Sequence, residues 1–205
     1  MRWAVLYTRS RQVPASLVAL LVSTVTIWLL ARDSWSLLPV SLALAAGVAV
    51  TATGLNGQDA DLDRSAAIRW FPRRGAHLLL IGALAAAAVL VPHLWETGLV
   101  PLDVIARNAA GLLGLTGISA VLLGGEFGWT LPLLSLAVAV FAPPDTGTAN
   151  EVARWLFMPT DVAVATGAAV AFGIVGAVSY AFLGARQSWG SRGSRTLGRD
   201  RRRRG

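Results

Sequence analysis

The sequence contains no cysteine and no lysine, and long stretches of it carry no charge at all. Without cysteine there is no disulfide, no thiol nucleophile and no thiolate metal site, which excludes dithiol redox chemistry and Cys-based zinc binding. Histidine is nearly as scarce. His77 and His93 stand far apart in the chain, about 24 Å along a helix at ~1.5 Å per residue, so they cannot share a ligand. Asp59, Asp61 and Asp63 lack the glycine and terminal glutamate of an EF-hand loop. No glycine-rich loop of the Walker type occurs, so any ATP must be hydrolysed by another polypeptide. No catalytic residue, cofactor site or metal site is therefore expected. Charge is sparse overall: 14% of residues are charged against 55% hydrophobic, and the mean hydropathy of +0.59 lies outside the range of water-soluble domains.

What the chain does have is uninterrupted apolar runs, over 13–31, 36–55, 76–95, 108–125, 127–142 and 162–185. A spanning helix needs roughly 20 largely apolar residues, and six such helices would use about 120 of the chain. The fourth and fifth runs are nearly continuous. A single helix over 108–142 would be on the order of 50 Å long, far beyond a hydrocarbon core of about 30 Å. Gly124, Gly125 and Glu126 are therefore expected to form a tight turn between two spans, because glycine accepts turn geometry and a carboxylate avoids hydrocarbon. The first run is too long for an ordinary signal-peptide core and no clear small-residue cleavage site follows it, so it is read as a span.

The arginines orient the bundle. With six spans and an inside start, 15 of the 18 fall on the cytoplasmic side, leaving only Arg32, Arg107 and Arg154 outside. That asymmetry is the positive-inside pattern. The basic residues sit in short segments beside apolar runs, which speaks against nucleic acid as a partner despite the net charge of +7. Trp28, Trp35, Trp95, Trp129 and Trp155 flank the expected span ends, where amphipathic rings settle at the interface. The expected fold is thus an all-α integral membrane protein, a bundle of six transmembrane helices with both termini cytoplasmic, in the plasma (inner) membrane. Residues 1–12 read as an amphipathic start, 13–185 as the transmembrane domain and 186–205 as a basic, disordered cytoplasmic tail attracted to anionic lipid.

Lipid offers no hydrophobic reward for helix association, so small residues mark contact faces. In the last span Ala165, Ala169, Gly173, Ala177 and Ala181 recur every fourth residue, and Gly111, Gly114 and Gly117 form a ladder in the fourth. Such faces suit a tightly packed bundle; a dimer interface or a sliding surface for a moving helix would use the same pattern. No carboxylate sits at mid-depth, which weighs against an ion-coupled carrier. Hydroxyls within the spans, among them Ser23, Thr24, Thr51, Thr116, Ser119 and Ser135, are expected to bond back to their own helix or across to a neighbour. Gly117-Ile118-Ser119-Ala120 resembles the nucleophile segment of rhomboid intramembrane proteases, but Ala120 stands where that family has glycine and no histidine follows His93. A serine without a base is not a nucleophile at neutral pH.

The stretch 56–75 carries the clearest pattern between spans. Asp59, Asp61 and Asp63 precede Leu62, Ala66, Ile68, Trp70 and Phe71, and Pro72 follows, so a short helix ending at Pro72 is expected. It is either an interfacial helix or a coupling helix whose apolar face docks in a groove on a cytoplasmic partner. Residues 143–161 are expected to dip back toward the membrane through Trp155, Leu156 and Phe157, with Thr160 and Asp161 capping the last helix. This layout resembles the membrane subunit of ABC-2-type exporters: an amphipathic start, six spans, a cytoplasmic helix between the second and third, and a partly re-entrant segment before the sixth. The Ala-, Gly- and Arg-rich composition, with Leu62-Asp63-Arg64-Ser65-Ala66-Ala67 and the stretch Arg107-Asn108-Ala109-Ala110-Gly111, is similar to small permease-like proteins of high-GC actinobacteria. The resemblance implies a permease subunit that works with a separate cytoplasmic ATP-binding subunit, pairs as a homodimer and moves its substrate outward. The other reading open to the sequence is a non-transport multipass protein, an assembly, immunity or scaffold component, which would leave the rate of any ATPase unchanged.

Overall fold

In the computed structural model the described residues are 13–52, 70–95, 100–145 and 147–186. They fold into helices joined by turns, with no strand among them. The order is α1 (Val13–Ala31), α2 (Leu37–Ala52), α3 (Trp70–Trp95), α4 (Leu102–Leu122), α5 (Thr130–Phe141), α6 (Thr148–Ala153) and α7 (Ala163–Leu183). Short 3-10 turns occupy Arg32–Ser34, Gly125–Phe127 and Trp155–Phe157. Leu62, Ala66 and Ile68 of the expected coupling helix, the amphipathic start at 1–12 and the tail from 187 onward lie outside the described residues.

Two helices, α4 and α7, are long and apolar enough to cross a membrane, and Ser16–Ala31, Leu37–Ala52, Leu78–Val91 and Gly125–Phe141 are shorter apolar stretches. The two long helices differ in setting. In α4, 78% of the most apolar window is buried, against 22% in α7, so α4 is the axis of the bundle and α7 lies on its rim. The rim itself is apolar: Val170, Ile174, Val175, Val178 and Phe182 on α7, and Val18, Leu21, Val22, Val25 and Leu29 on α1, are exposed. Contiguous exposed apolar surface on this scale is foreign to a water-facing domain. With large apolar side chains outside as well as inside, the inner surfaces are distinguished by how closely they approach.

Close approach is concentrated where α4 meets α7. A Cβ on Gly114 would lie 2.0 Å from the Phe172 carbonyl oxygen, and one on Gly176 would lie 1.8 Å from that of Gly114. Gly117 faces the Gly176 carbonyl, and Gly173 faces that of Ala110. The α7 face expected from every-fourth spacing is only partly the contact line. Ala165, Ala169 and Ala181 are buried, Gly173 and Ala177 are half-buried, and the tightest position is Gly176, outside that ladder. A four-residue step overshoots the turn of ~3.6 residues by about 40°, so the contact steps back by three from Gly173 to Gly176 before reaching Tyr180. The tight positions Gly173 and Gly176 pack against α4 of the same chain.

Boundaries moved in physically interpretable ways. The third helix begins at Trp70, so Trp70 and Phe71 open α3 and Pro72 does not stop a helix there. In the first helical turn the missing proline N–H would have had no intrahelical partner. The fifth helix has only 12 residues, about 18 Å, because the start of its apolar run is spent on the turn. That turn lies at Gly124 to Phe127 as expected, with Gly124 at φ 114° and ψ 156°, a region open essentially to glycine alone. Ser119 pins it: its hydroxyl lies 2.6 Å from the Phe127 carbonyl oxygen and 2.6 Å from the Thr130 hydroxyl. The residues after α7 close the same end, with the Arg186 amide donating at 3.0 Å to Ala120 O, which also accepts from the Gly124 amide at 3.2 Å, and the Arg186 guanidinium donating to Leu122 O at 3.3 Å.

Candidate functional site

At the other end of α4 the sequence reading places Arg107 in a loop and starts the helix at Asn108. The helix instead starts at Leu102, and Arg107 is inside it and 8% exposed. Pro101, in extended backbone with φ −60° and ψ 141°, sets the start, and Asp103 in the first turn suits the positive end of the helix dipole. These two residues were the start signal that the sequence carried; two charged residues so close together masked it.

The Arg107 guanidinium faces the non-helical segment that precedes α7. Its Nη2 donates to the carbonyls of Trp155 at 2.9 Å and Met158 at 2.7 Å and lies 3.0 Å from Asn108 Oδ1. Nη1 donates to Pro159 O at 3.0 Å and lies 3.4 Å from the Thr166 hydroxyl, while Nε donates to Asn108 Oδ1 at 3.2 Å. Asn108, fully buried, turns its amide the other way: Nδ2 donates to Leu156 O at 2.8 Å and lies 3.3 Å from Ser41 Oγ on α2. Only this orientation presents the amide oxygen to the cation and the amide nitrogen to the carbonyl. Ser41 also donates to Leu156 O, at 3.4 Å. The carbonyls of four residues between Trp155 and Pro159, which no helix would satisfy, are thus taken up by one arginine and one asparagine.

The side chains of this segment are equally fixed. Trp155 is 1% exposed, packs edge-on against Phe172 with ring centroids 6.0 Å apart, and donates from Nε1 to Ser135 of α5 at 3.0 Å. Its ring occupies the space beside Gly111, where a Cβ would come within 2.5 Å. Leu156 is fully buried and Phe157 half-buried, so the segment turns into the bundle at these residues. Trp155 is therefore a core residue and not an interfacial ring; Trp35, fully buried, is another. Trp155 fits the core because Gly111 opposite makes room and the Ser135 hydroxyl takes its N–H; the buried Trp35 N–H has no such partner among the described residues. Thr160 and Asp161 do not cap α7, whose N-cap is Val162 with no side-chain bond. The Thr160 hydroxyl donates instead to the Asp103 carboxylate, and Thr166 donates to Thr160 O at 2.9 Å.

Chemically, this is a hydrogen-bonded knot that holds backbone. All acceptors hydrogen-bonded to Arg107 are neutral, and its Nη2, with two hydrogens, already faces three of them. Among the described residues no group of three or more histidine or acidic side chains is placed to hold a metal. Ser119, the serine of the protease-like segment, spends its hydroxyl on the turn described above. Within the helices Ser23 bonds back to Leu20 O, Thr51 to Gly47 O and Thr116 to Leu112 O, whereas the expected bond is not made at Thr24, whose buried hydroxyl has no partner among the described residues.

No protein-family model matches this chain, and no curated protein or solved structure matches it closely enough to carry a comparison.

Proposed function

We propose that the chain is the membrane-embedded permease subunit of an ATP-driven exporter, a six-span bundle with both termini cytoplasmic that works with a separate ATP-binding subunit. The observation that carries this reading is the break before α7 at 155–159, a single 3-10 turn followed by extended backbone at Met158, with Trp155 and Leu156 buried and its carbonyls held by Arg107 and Asn108 inside a bundle with an apolar rim. Irregular backbone at membrane depth is tolerated only where protein groups or a cavity satisfy it. Broken helices of this kind are where membrane transporters build their moving and binding parts. The arginine asymmetry supports the cytoplasmic placement of both ends.

In this reading Leu62, Ala66, Ile68, Trp70 and Phe71 form or adjoin the surface that receives the ATP-binding subunit, and their junction with α3 is the route by which its motion enters the bundle. The test is affinity purification of the tagged chain from native membranes, followed by measurement of ATPase activity in the eluate. A co-purifying ATPase that is lost with Trp70→Glu supports the proposal. Retention of the same ATPase at the same turnover in the variant defeats the coupling assignment, and absence of any ATPase defeats the permease assignment.

One observation favours the second reading, a non-transport assembly, immunity or scaffold component. The donors of Arg107 are saturated by the chain's own acceptors, so the buried charge has no free valence for a ligand in this conformation. That reading expects a stable partner whose ATPase rate, if it has one, does not respond to this chain.

A further inference from the structure

Asp103 and Arg107 lie four residues apart on α4, the spacing at which a carboxylate and a guanidinium meet on one helix face. They nevertheless hold different partners. Asp103 is exposed and accepts the Thr160 hydroxyl; Arg107 is buried and donates to Trp155, Met158 and Pro159 carbonyls. Both partner sets belong to the one non-helical segment. Since all five N–H groups of Arg107 already face acceptors, it can take on a carboxylate only by giving up part of this set, which includes three carbonyls of the segment.

We propose that Asp103 and Arg107 form a two-position latch for the segment 154–160. In the position seen here Arg107 holds the segment through its carbonyls, and Thr160 occupies the competing carboxylate. In the other position Arg107 turns one helical turn back to Asp103, and the segment, with its carbonyls released to water, lifts off α4. The guanidinium stays hydrogen-bonded in both positions, which keeps the exchange from stranding a buried charge. Gly111 and Ser135 mark what would open: the slot now filled by the Trp155 ring. The latch concerns only how the segment is held, so it goes beyond the transport reading and does not need a partner protein.

The latch makes the sign of one substitution diagnostic. If Asp103 serves only as a tether for Thr160, Asp103→Asn loosens the segment; if it is the alternative partner of Arg107, Asp103→Asn tightens it. The chain has no cysteine, so Met158→Cys supplies a single thiol whose backbone carbonyl remains available to Arg107. In lipid nanodiscs, where both faces are open to reagent, its rate of labelling by a water-soluble maleimide reports release. Adding Asp103→Asn is expected to slow labelling about three- to fivefold, the weight of a partly exposed ion pair. Adding Thr160→Val is expected to speed labelling by a similar factor, and the double variant is expected to lose most of that gain, a non-additivity that two independent tethers would not show. Faster or unchanged labelling in Asp103→Asn overturns the latch, as does a double variant that labels as fast as Thr160→Val alone. Neither substitution touches Arg107 or the core, so the comparison survives even if Arg107→Gln, expected to label fastest, does not fold.

Discussion

Arg107 carries the residue-scale lesson: a side chain that the charge pattern places in a loop is 8% exposed inside a helix. A guanidinium is tolerated there because its planar fork meets several carbonyl acceptors at once, which a point charge cannot do. Arg107→Lys is therefore expected to lower stability by about 3 kcal/mol, since hydrogen bonds to charged groups contribute roughly 1.5–3 kcal/mol each; the loss is read as a lower thermal midpoint of the detergent-solubilised protein. Two glycines of α7 give an opposing pair. A Cβ at Gly176 would collide with the Gly114 backbone, whereas one at Gly167 would meet nothing within 4 Å. Gly176→Ala is expected to destabilise by about 2 kcal/mol or more through overpacking, and Gly167→Ala to stabilise by about 0.5–1 kcal/mol as a better helix former. Equal midpoints for the two variants would contradict the packing described here.

At the scale of the element, the α4–α5 turn and the segment before α7 contrast instructively. The turn was legible because glycine and a charge interrupt an apolar run too long for one span, and local backbone chemistry then decides the geometry. Gly124→Ala is expected to cost about 1–3 kcal/mol from the strained backbone alone, measurable as the same midpoint shift. Ser119→Ala is expected to cost about 1 kcal/mol and to leave any activity of the protein intact, because Thr130 still donates to Phe127 O at 2.7 Å. The segment at 155–159 was legible only as a tendency to turn inward. Which groups would receive its carbonyls depended on Arg107 and Asn108, some 50 residues earlier, and on Ser41, earlier still.

For the whole molecule, the membrane-embedded bundle proposed above makes a forecast: the chain is expected to require detergent or lipid to remain monodisperse by size-exclusion chromatography. The arginine distribution makes a separate forecast: a reporter fused after Gly205 and one fused before Met1 should both report the cytoplasm in intact cells. An exterior signal from the C-terminal fusion would mean an odd number of spans. The effect of Trp70→Glu on ATPase recovery belongs at this scale too, because it tests contact between assemblies and not the stability of the bundle.

Composition and run length by themselves determined that the chain is helical, where most helices lie, and that a turn falls at Gly124 to Glu126, because these follow from local backbone and side-chain properties. Small-residue spacing also pointed to α7 as a packing helix, though not to Gly176, because a four-residue ladder drifts around a helix of 3.6 residues per turn. Only the tertiary structure decided that Trp35 and Trp155 are core residues, that α4 starts before Arg107, and that Arg107 and Asn108 together take up the irregular backbone before α7. The physical reason is shared by all three: where large apolar side chains are exposed as well as buried and a guanidinium is among the buried groups, hydrophobicity does not encode burial. Shape and hydrogen-bond complementarity between distant segments decide it instead.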